Sequence, residues 1–135
     1  MAEIAAPYAR KVGRRVDVEV VRRVAKARAL AAGASLQTAG ELELIVSELA
    51  TNILRHTVGG EVVVSSGPCE GKACISVVAT DFGPGIPDLV EAFSAGFSTG
   101  GGLGQGFSVI RRLADTFDVE TGPGGTRIAV QKCTN

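Results

Sequence analysis

Glu48-Leu-Ala-Thr-Asn52, Asp81-Phe-Gly-Pro-Gly85 and Gly100-Gly-Gly-Leu-Gly-Gln-Gly106 are the three stretches that decide the fold of this chain. The first carries a carboxylate and a carboxamide about one turn apart on a predicted helix. The second is a single acid that enters a glycine-rich turn, and the third leads directly into a helical pattern. Each motif alone is a weak signal, but the three in this order within 135 residues predict one nucleotide-binding site.

The composition predicts a single domain, residues 1–135, that is large enough to bury a core without stabilisation by disulfides or metal ions. Hydrophobic residues make up 45% and aromatic residues only 4%, so an aliphatic core is expected. A formal net charge of zero argues against nucleic acid as the partner. Eight of the 14 Lys and Arg residues nevertheless fall in the first 28 positions. This basic segment is interpreted either as a solvated face or as a docking surface for an acidic partner.

The cysteines and the single histidine predict no zinc site. Cys69, Cys74 and Cys133 match no metal spacing, and His56 stands alone. Reduced thiols in a cytoplasmic protein are expected. The chain opens without a signal-peptide pattern, and no apolar run approaches the roughly 18 residues needed to span a membrane, so no membrane association is expected.

Hydrophobic periodicity predicts two helices in the first half, after a short edge strand within residues 8–16. The first helix follows an N-cap at Asp17 and runs to Ala32, where Gly33 ends it. The second follows a cap at Ser35 and ends at Gly59-Gly60. Its core-facing positions are Leu42, Ile45, Val46, Leu49 and Ile53.

Two hairpins are predicted in the second half. The first joins strands 61–66 and 73–80 through residues 67–71, and the second joins strands 117–121 and 126–132 through residues 122–125. Between them lie a helical or irregular segment, 86–95, and a helix over 103–115 with Val109, Ile110 and Leu113 facing inward. This order predicts an α/β fold, a two-layer sandwich whose largely antiparallel mixed sheet carries helices on one face.

The polar stripe on the second helix predicts phosphoryl chemistry. Glu48, Asn52 and His56 lie about 40° apart in succession, at the edge of the buried face. The amide oxygen of Asn52 suits Mg²⁺, and a carboxylate one turn away can accept a proton from an attacking hydroxyl. The alternative is an ordinary amphipathic helix with polar rim residues, in which His56 only packs.

The other two motifs predict contacts with a base and with phosphates. Asp81 should emerge from a buried strand, where an acid needs a donor such as the exocyclic amine of adenine. Gly83 and Gly85 would let a flat base approach the backbone. The run 100–106 precedes a helix, whose free N–H groups can face an anion. The alternatives are an acid that caps its own turn and a plain surface loop.

Together these motifs resemble those of the Bergerat-fold (GHKL) ATPases, the superfamily of gyrase, Hsp90, histidine kinases and MutL. Glu48/Asn52 is similar to the N-box, and Asp81-x-Gly83-x-Gly85 and Gly102-x-Gly104-x-Gly106 to the two glycine boxes. Gly125-Thr126 is similar to the late element beside the adenine-binding acid. Among small members, segments 96–106 and 111–117 are most similar to the RsbT-like switch kinases. Phe107-Ser108 departs from that group, and His56 is more typical of the anti-sigma kinases.

The resemblance implies a serine/threonine kinase that transfers the γ-phosphoryl of ATP to a STAS-domain protein in a partner-switching (stressosome) pathway. Asn52 would hold Mg²⁺, Glu48 would be the catalytic base, and Asp81 with Thr126 would read adenine. The remaining nucleotide contacts would come from Gly83, Gly85, Gly102, Leu103, Gly104 and Gly106.

Two other functions stay open at this point. The chain could be an anti-sigma factor of the RsbW type that binds a sigma factor. It could also be a nucleotide-gated interaction module with little turnover. RsbT-like proteins are in addition thought to activate a PP2C-type phosphatase once they are released from their scaffold.

Overall fold

The computed structural model describes residues 6–56, 59–82 and 103–134, which form five strands and three helices. The elements in chain order are β1 (Tyr8–Val12), α1 (Arg15–Ala31), α2 (Leu36–His56), β2 (Gly60–Cys69), β3 (Lys72–Asp81), α3 (Leu103–Leu113), β4 (Thr116–Gly122) and β5 (Gly125–Cys133). The predictions for Gly83, Gly85, Gly102 and segment 86–95 lie outside the described residues.

The strands form one sheet in the order β1-β2-β3-β5-β4, and every neighbouring pair is antiparallel. Alternate strand residues are buried beneath the helices, as expected for a sheet covered on one face. These buried strand residues include Val62, Val64, Val77, Ala79, Ile128 and Val130. The predicted two-layer α/β sandwich is confirmed, and its sheet is antiparallel throughout the described strands.

Helix α2 supplies the centre of the core. All five of its predicted core positions are buried, together with Ala39 and Ala50. Ser35 caps the helix as predicted, because its Oγ accepts a hydrogen bond from the backbone N–H of Thr38 at 3.1 Å. Gly33, with φ of 99°, ends the preceding helix in the left-handed region. The α1–α2 turn therefore follows the local sequence signals.

The start of α1 differs from the prediction. The helix begins at Arg15, with Arg14 as N-cap, so Asp17 lies inside the first turn. Its Oδ2 accepts hydrogen bonds from the backbone N–H groups of Gly13 and Arg14 at 3.0 and 2.9 Å. Its Oδ1 pairs with Arg10 at 3.0 Å. Asp17 thus binds free N–H groups from the third helical position, as in one half of a capping box.

Asp17→Asn is expected to lower the thermal unfolding midpoint by about 3–6 °C at neutral pH. The N–H groups of Gly13 and Arg14, followed by Arg10, hold the pKa of Asp17 below its ordinary value of 3.8. Because the folded pKa is lower than the unfolded one, this stabilisation is present above about pH 4 and is lost as pH falls through the folded pKa. Melting curves across pH 2–7 measure it, with Glu19→Gln as the control on the same helix. A constant difference between Asp17→Asn and wild type across this range would contradict the assignment.

The first hairpin is tighter than predicted. Strands β2 and β3 continue to Cys69 and from Lys72, so only Glu70 and Gly71 form the turn. Both have positive φ, 54° and 81°, which matches the twist of a two-residue hairpin. The predicted loop at residues 67–71 was too long because its Gly and Pro were interpreted as turn residues. They are paired strand residues.

Helix α3 and the second hairpin lie close to their predicted positions. Ile110 is fully buried as predicted, but Phe107 takes the other central position, and Val109 and Leu113 are half-buried. The helix lies against α2. The buried face of α3 is therefore rotated by roughly a fifth of a turn from the prediction, with Ile110 common to both.

Two of the three cysteines are bridged, so the expectation of reduced thiols is wrong for them. Cys74 and Cys133 face each other across β3 and β5 and form a disulfide, while Cys69 is free. Their separation of 59 residues concealed the pair in the sequence.

Among the described helices, none combines the length and apolar character needed to cross a bilayer.

Candidate nucleotide site

Helix α2 carries Glu48 and Asn52 on one side, a single turn apart. Glu48 is half-buried, whereas Asn52 is only 7% exposed. The neighbouring Leu49 and Ile53 are buried in the core and fix the rotation of the helix. The packing that fixes α2 therefore also fixes the direction of these two polar side chains.

The amide of Asn52 has an unsatisfied group. Within the described residues, its Nδ2 is buried and has no hydrogen-bond partner. A buried polar group without a partner costs about 1–3 kcal/mol, so such a group calls for an explanation, of which a bound ion or ligand is one. A half-turn of the amide would exchange Nδ2 for Oδ1, so the same position can offer a donor to a phosphate or an oxygen to a cation. Asn52 thus has the chemistry to hold either group.

Asp81, Thr126 and Thr121 form one row across three strands. Asp81 on β3 faces Thr126 on β5, which in turn faces Thr121 on β4. Asp81 and Thr126 are 8% and 3% exposed, and they lie on the helix side of the sheet, in line with buried Ala79 and Ile128. The sheet therefore brings together the two residues predicted to read adenine, on the face that α2 covers.

Two glycines allow the strands to meet at this row. Gly60 and Gly125 flank Asp81 from β2 and β5. A Cβ on Gly60 would overlap the carbonyl oxygen of Thr80, and one on Gly125 would overlap that of Asp81. Gly125 also has φ of 138°. The backbone around Asp81 is thus held by close contacts that exclude side chains.

Gly125→Ala is expected to destabilise the protein by about 2–4 kcal/mol, since the new methyl must displace the Asp81 carbonyl and adopt a disfavoured φ. Gly124→Ala, one residue earlier in the turn, is the matched control because nothing lies within 4 Å of its added Cβ. Chemical denaturation of both variants measures the difference. Equal unfolding free energies for the two variants would contradict the close contact at Asp81.

The second glycine motif lies at the start of α3. The helix begins at Leu103, so Gly104 and Gly106 fall within its first two turns. The N–H groups of a first helical turn have no intrahelical acceptor and can face an anion. At the other end, Nζ of Lys132 donates to the carbonyl oxygen of Leu113 at 2.6 Å. The C-terminus of this helix is thereby anchored to β5.

Lys132 also links this anchor to α2. Its Nζ lies 2.9 Å from Oε1 of Glu41, and both side chains are partly buried. The hydrogen bond from Lys132, followed by one from Gln37, lowers the pKa of Glu41, so the carboxylate is charged at neutral pH. This ion pair fixes α3 relative to the helix that carries Glu48 and Asn52.

An open cavity of about 380 Å³ lies at the ends of β3, β4 and β5. Its lining includes Asp81, Thr121 and Thr126, and also Thr80 and Arg127 from the opposite side of the sheet. Its volume lies within the range of small-molecule sites. The row that contains Asp81 is therefore accessible to a ligand from the strand ends.

Comparison with known proteins gives the family. A family model described as a histidine kinase-like ATPase domain matches residues 14–132. The serine/threonine-protein kinase RsbT of Bacillus subtilis (strain 168) is 33% identical over 117 residues, which cover 86% of this chain and 88% of that protein. The chain belongs to the histidine kinase-like ATPase family, in its RsbT-like serine/threonine kinase branch. The resemblance drawn from the motifs is confirmed, and with it the prediction of an ATP-dependent kinase.

Solved structures share the fold of this RsbT-like chain. The RsbU and RsbW domains of Rv1364c from Mycobacterium tuberculosis match with a TM-score of 0.65 and 17% identity, covering 97% of this chain and 33% of that one. The SiaB-SiaC complex from Pseudomonas aeruginosa matches with a TM-score of 0.57 and 15% identity, covering 96% and 90%. At these identities the likeness establishes the fold alone.

Sequence reasoning missed two features of the site, the hydroxyl of Thr121 and the close contact at Gly60. Thr121 and Thr126 flank the four-residue segment 122–125 symmetrically, so the predicted hairpin already implied that they face each other. Gly60 was interpreted only as the end of a helix. No local signal indicated that Gly60 lies so close to the backbone of Thr80 and Asp81 on β3.

Proposed function

We propose that this protein transfers the γ-phosphoryl group of ATP to a serine or threonine hydroxyl of a STAS-domain protein. The observation that carries the proposal is the buried Nδ2 of Asn52, which has no hydrogen-bond partner among the described residues and lies one turn from half-buried Glu48 on α2. Buried Asp81 lies on the sheet face covered by that helix. An amide that can contact a phosphate or Mg²⁺, a carboxylate that can accept a proton and a carboxylate that can bind adenine therefore lie on one side of the fold.

In this proposal each residue has a separate task. Asn52 would hold Mg²⁺ through its amide oxygen, and the bound ion would supply positive charge to neutralise the phosphates. Glu48 orients the acceptor hydroxyl and takes its proton. Asp81 accepts a hydrogen bond from the adenine amine, with Thr126 beside it. Phosphoryl transfer depends mainly on such positioning and on charge neutralisation.

The two glycine motifs complete the proposed nucleotide site. Gly83 and Gly85 would contact the base, and Gly102, Leu103, Gly104 and Gly106 would surround the phosphates. The described start of α3 supports this role for the second motif, because its backbone N–H groups supply donors. The sequence contains no Lys or Arg between Lys72 and Arg111, so these donors, the metal or a basic residue from elsewhere in the fold would meet the phosphate charge.

The proposed partners follow from the family. The RsbT relative is named a serine/threonine-protein kinase, and a structural neighbour joins an RsbW domain to an RsbU domain. These names support a STAS-domain substrate in a partner-switching pathway, and we place that pathway in the cytoplasm as part of the proposal. Activation of a PP2C-type phosphatase by the released protein is the second part of the proposal.

Label transfer from γ-labelled ATP tests the proposal directly. The protein is mixed with Mg–ATP and each STAS-domain protein of its source organism, and the labelled residue is mapped. Label on one serine or threonine of one partner is the expected result. ATP binding without any transfer would instead favour a nucleotide-gated module that captures a sigma factor or a phosphatase.

A further inference from the structure

The hydroxyl groups of Thr121 and Thr126 link β4 to β5 within the row that contains Asp81. Their Oγ1 atoms lie 2.9 Å apart, and either can donate. Thr121 is exposed on the outer strand of the sheet, whereas Thr126 is 3% exposed. The outer residue can therefore fix the rotamer and the proton direction of a hydroxyl that water hardly reaches.

We propose that Thr121 is a positioning residue for nucleotide selectivity, because its hydroxyl donates to Thr126 and so directs the Thr126 proton toward the bound base. This inference rests on the proposed function, since it assumes an adenine nucleotide beside Asp81. A threonine hydroxyl has one proton. Once Thr126 accepts from Thr121, its own proton is directed away from β4 and toward the Asp81 side of the row.

The direction of the Thr126 proton determines whether the site prefers adenine to guanine. Adenine presents an amine donor next to a ring-nitrogen acceptor, whereas guanine presents a carbonyl acceptor next to an N–H donor. The Asp81 carboxylate accepts from the adenine amine, and Thr126 held as a donor can donate to the neighbouring ring nitrogen, whereas guanine in the same orientation would place its carbonyl oxygen against Asp81. If Thr126 were free to rotate, it could also accept from guanine, and the discrimination would weaken.

The cross-strand geometry makes this role specific to Thr121. It faces Thr126 directly in the β4–β5 ladder, and both residues line the cavity at the strand ends together with Asp81. Thr116 lies on the same strand and donates to Oε1 of Gln131 at 3.3 Å. That bond also joins β4 to β5 but lies toward the other end of the ladder. Thr116 therefore offers a control with the same chemistry and no path to the base.

The test is the ratio of ATP to GTP affinity, measured by calorimetry with Mg²⁺. Thr121→Val keeps the branched shape and removes the hydroxyl, so it should weaken ATP binding by about three- to tenfold and lower the ATP/GTP ratio by a similar factor. Thr121→Ser should restore the ratio, and Thr116→Val should leave it unchanged. A wild-type ratio in Thr121→Val would overturn the inference, as would a lower melting temperature with an unchanged ratio, because both indicate a structural role only.

The proposed function and this inference fail in different ways. A wild-type protein that binds neither nucleotide, or binds ATP and GTP equally, overturns the adenine assignment of Asp81 and the role of Thr121 with it. A wild-type protein that prefers ATP, together with a Thr121→Val variant that prefers it equally, overturns only the role of Thr121.

Discussion

Glu48→Gln is expected to slow phosphoryl transfer by about 100-fold or more while ATP affinity stays at the wild-type value. The substitution keeps the size and hydrogen-bonding shape of the side chain but removes the ability to accept a proton. Glu48 is half-buried, one turn from Asn52, so the change alters the chemistry without opening the core. Single-turnover transfer to the partner protein measures the rate, and calorimetry measures ATP affinity.

Glu43→Gln is the matched control for that variant. Glu43 lies on the same helix and contacts Arg22 and Lys26 at 3.6 and 3.9 Å, as expected for a weak surface ion-pair cluster. Its loss should leave both transfer and ATP affinity unchanged. A Glu48→Gln variant with an undiminished transfer rate would reduce Glu48 to a structural residue and would leave the base unassigned.

Asn52→Ala is expected to weaken ATP binding in the presence of Mg²⁺ by at least about tenfold and to remove its dependence on the ion. The amide is buried, and its Nδ2 has no partner among the described residues, so it is poised for a ligand instead of for the core. For the same reason the variant should fold, since no hydrogen bond of Nδ2 is lost. Calorimetric titration with Mg²⁺ and with EDTA measures the affinity.

Thr51→Ala, the adjacent half-buried position on α2, is the control for Asn52→Ala. It should retain Mg²⁺-dependent binding of ATP. Retention of that binding by Asn52→Ala itself would exclude Asn52 as the metal-holding residue. A melting curve of each variant without nucleotide separates a loss of binding from a loss of fold.

Much of the fold was predictable because its signals are local. The five core positions of α2 recur at helical spacing, and Gly33 and Ser35 mark the turn before it. The start of α1 and the length of the first turn were mispredicted locally, but two other mispredicted features depend on long-range pairing. The Cys74–Cys133 disulfide requires the β3–β5 register, and Phe107 becomes a core residue only through the packing of α3 on α2.

The candidate site was predictable for a different reason. Its residue types are unusual for their surroundings. Asp81 is an acid at the end of an apolar strand, and Asn52 is an amide at the buried edge of α2. Their side chains are indeed buried there. Thr121 was not predictable as a site residue because threonine is an ordinary strand residue. Only the facing position across the hairpin gives it a role.

The intact mass of the STAS-domain partner after incubation with this protein and Mg–ATP tests the central claim most directly. A gain of one phosphoryl group, abolished by Asn52→Ala and strongly slowed by Glu48→Gln, is the predicted result. An unchanged partner mass for every STAS-domain protein tested, while calorimetry registers tight ATP binding, would contradict the claim that this member of the family is an active kinase.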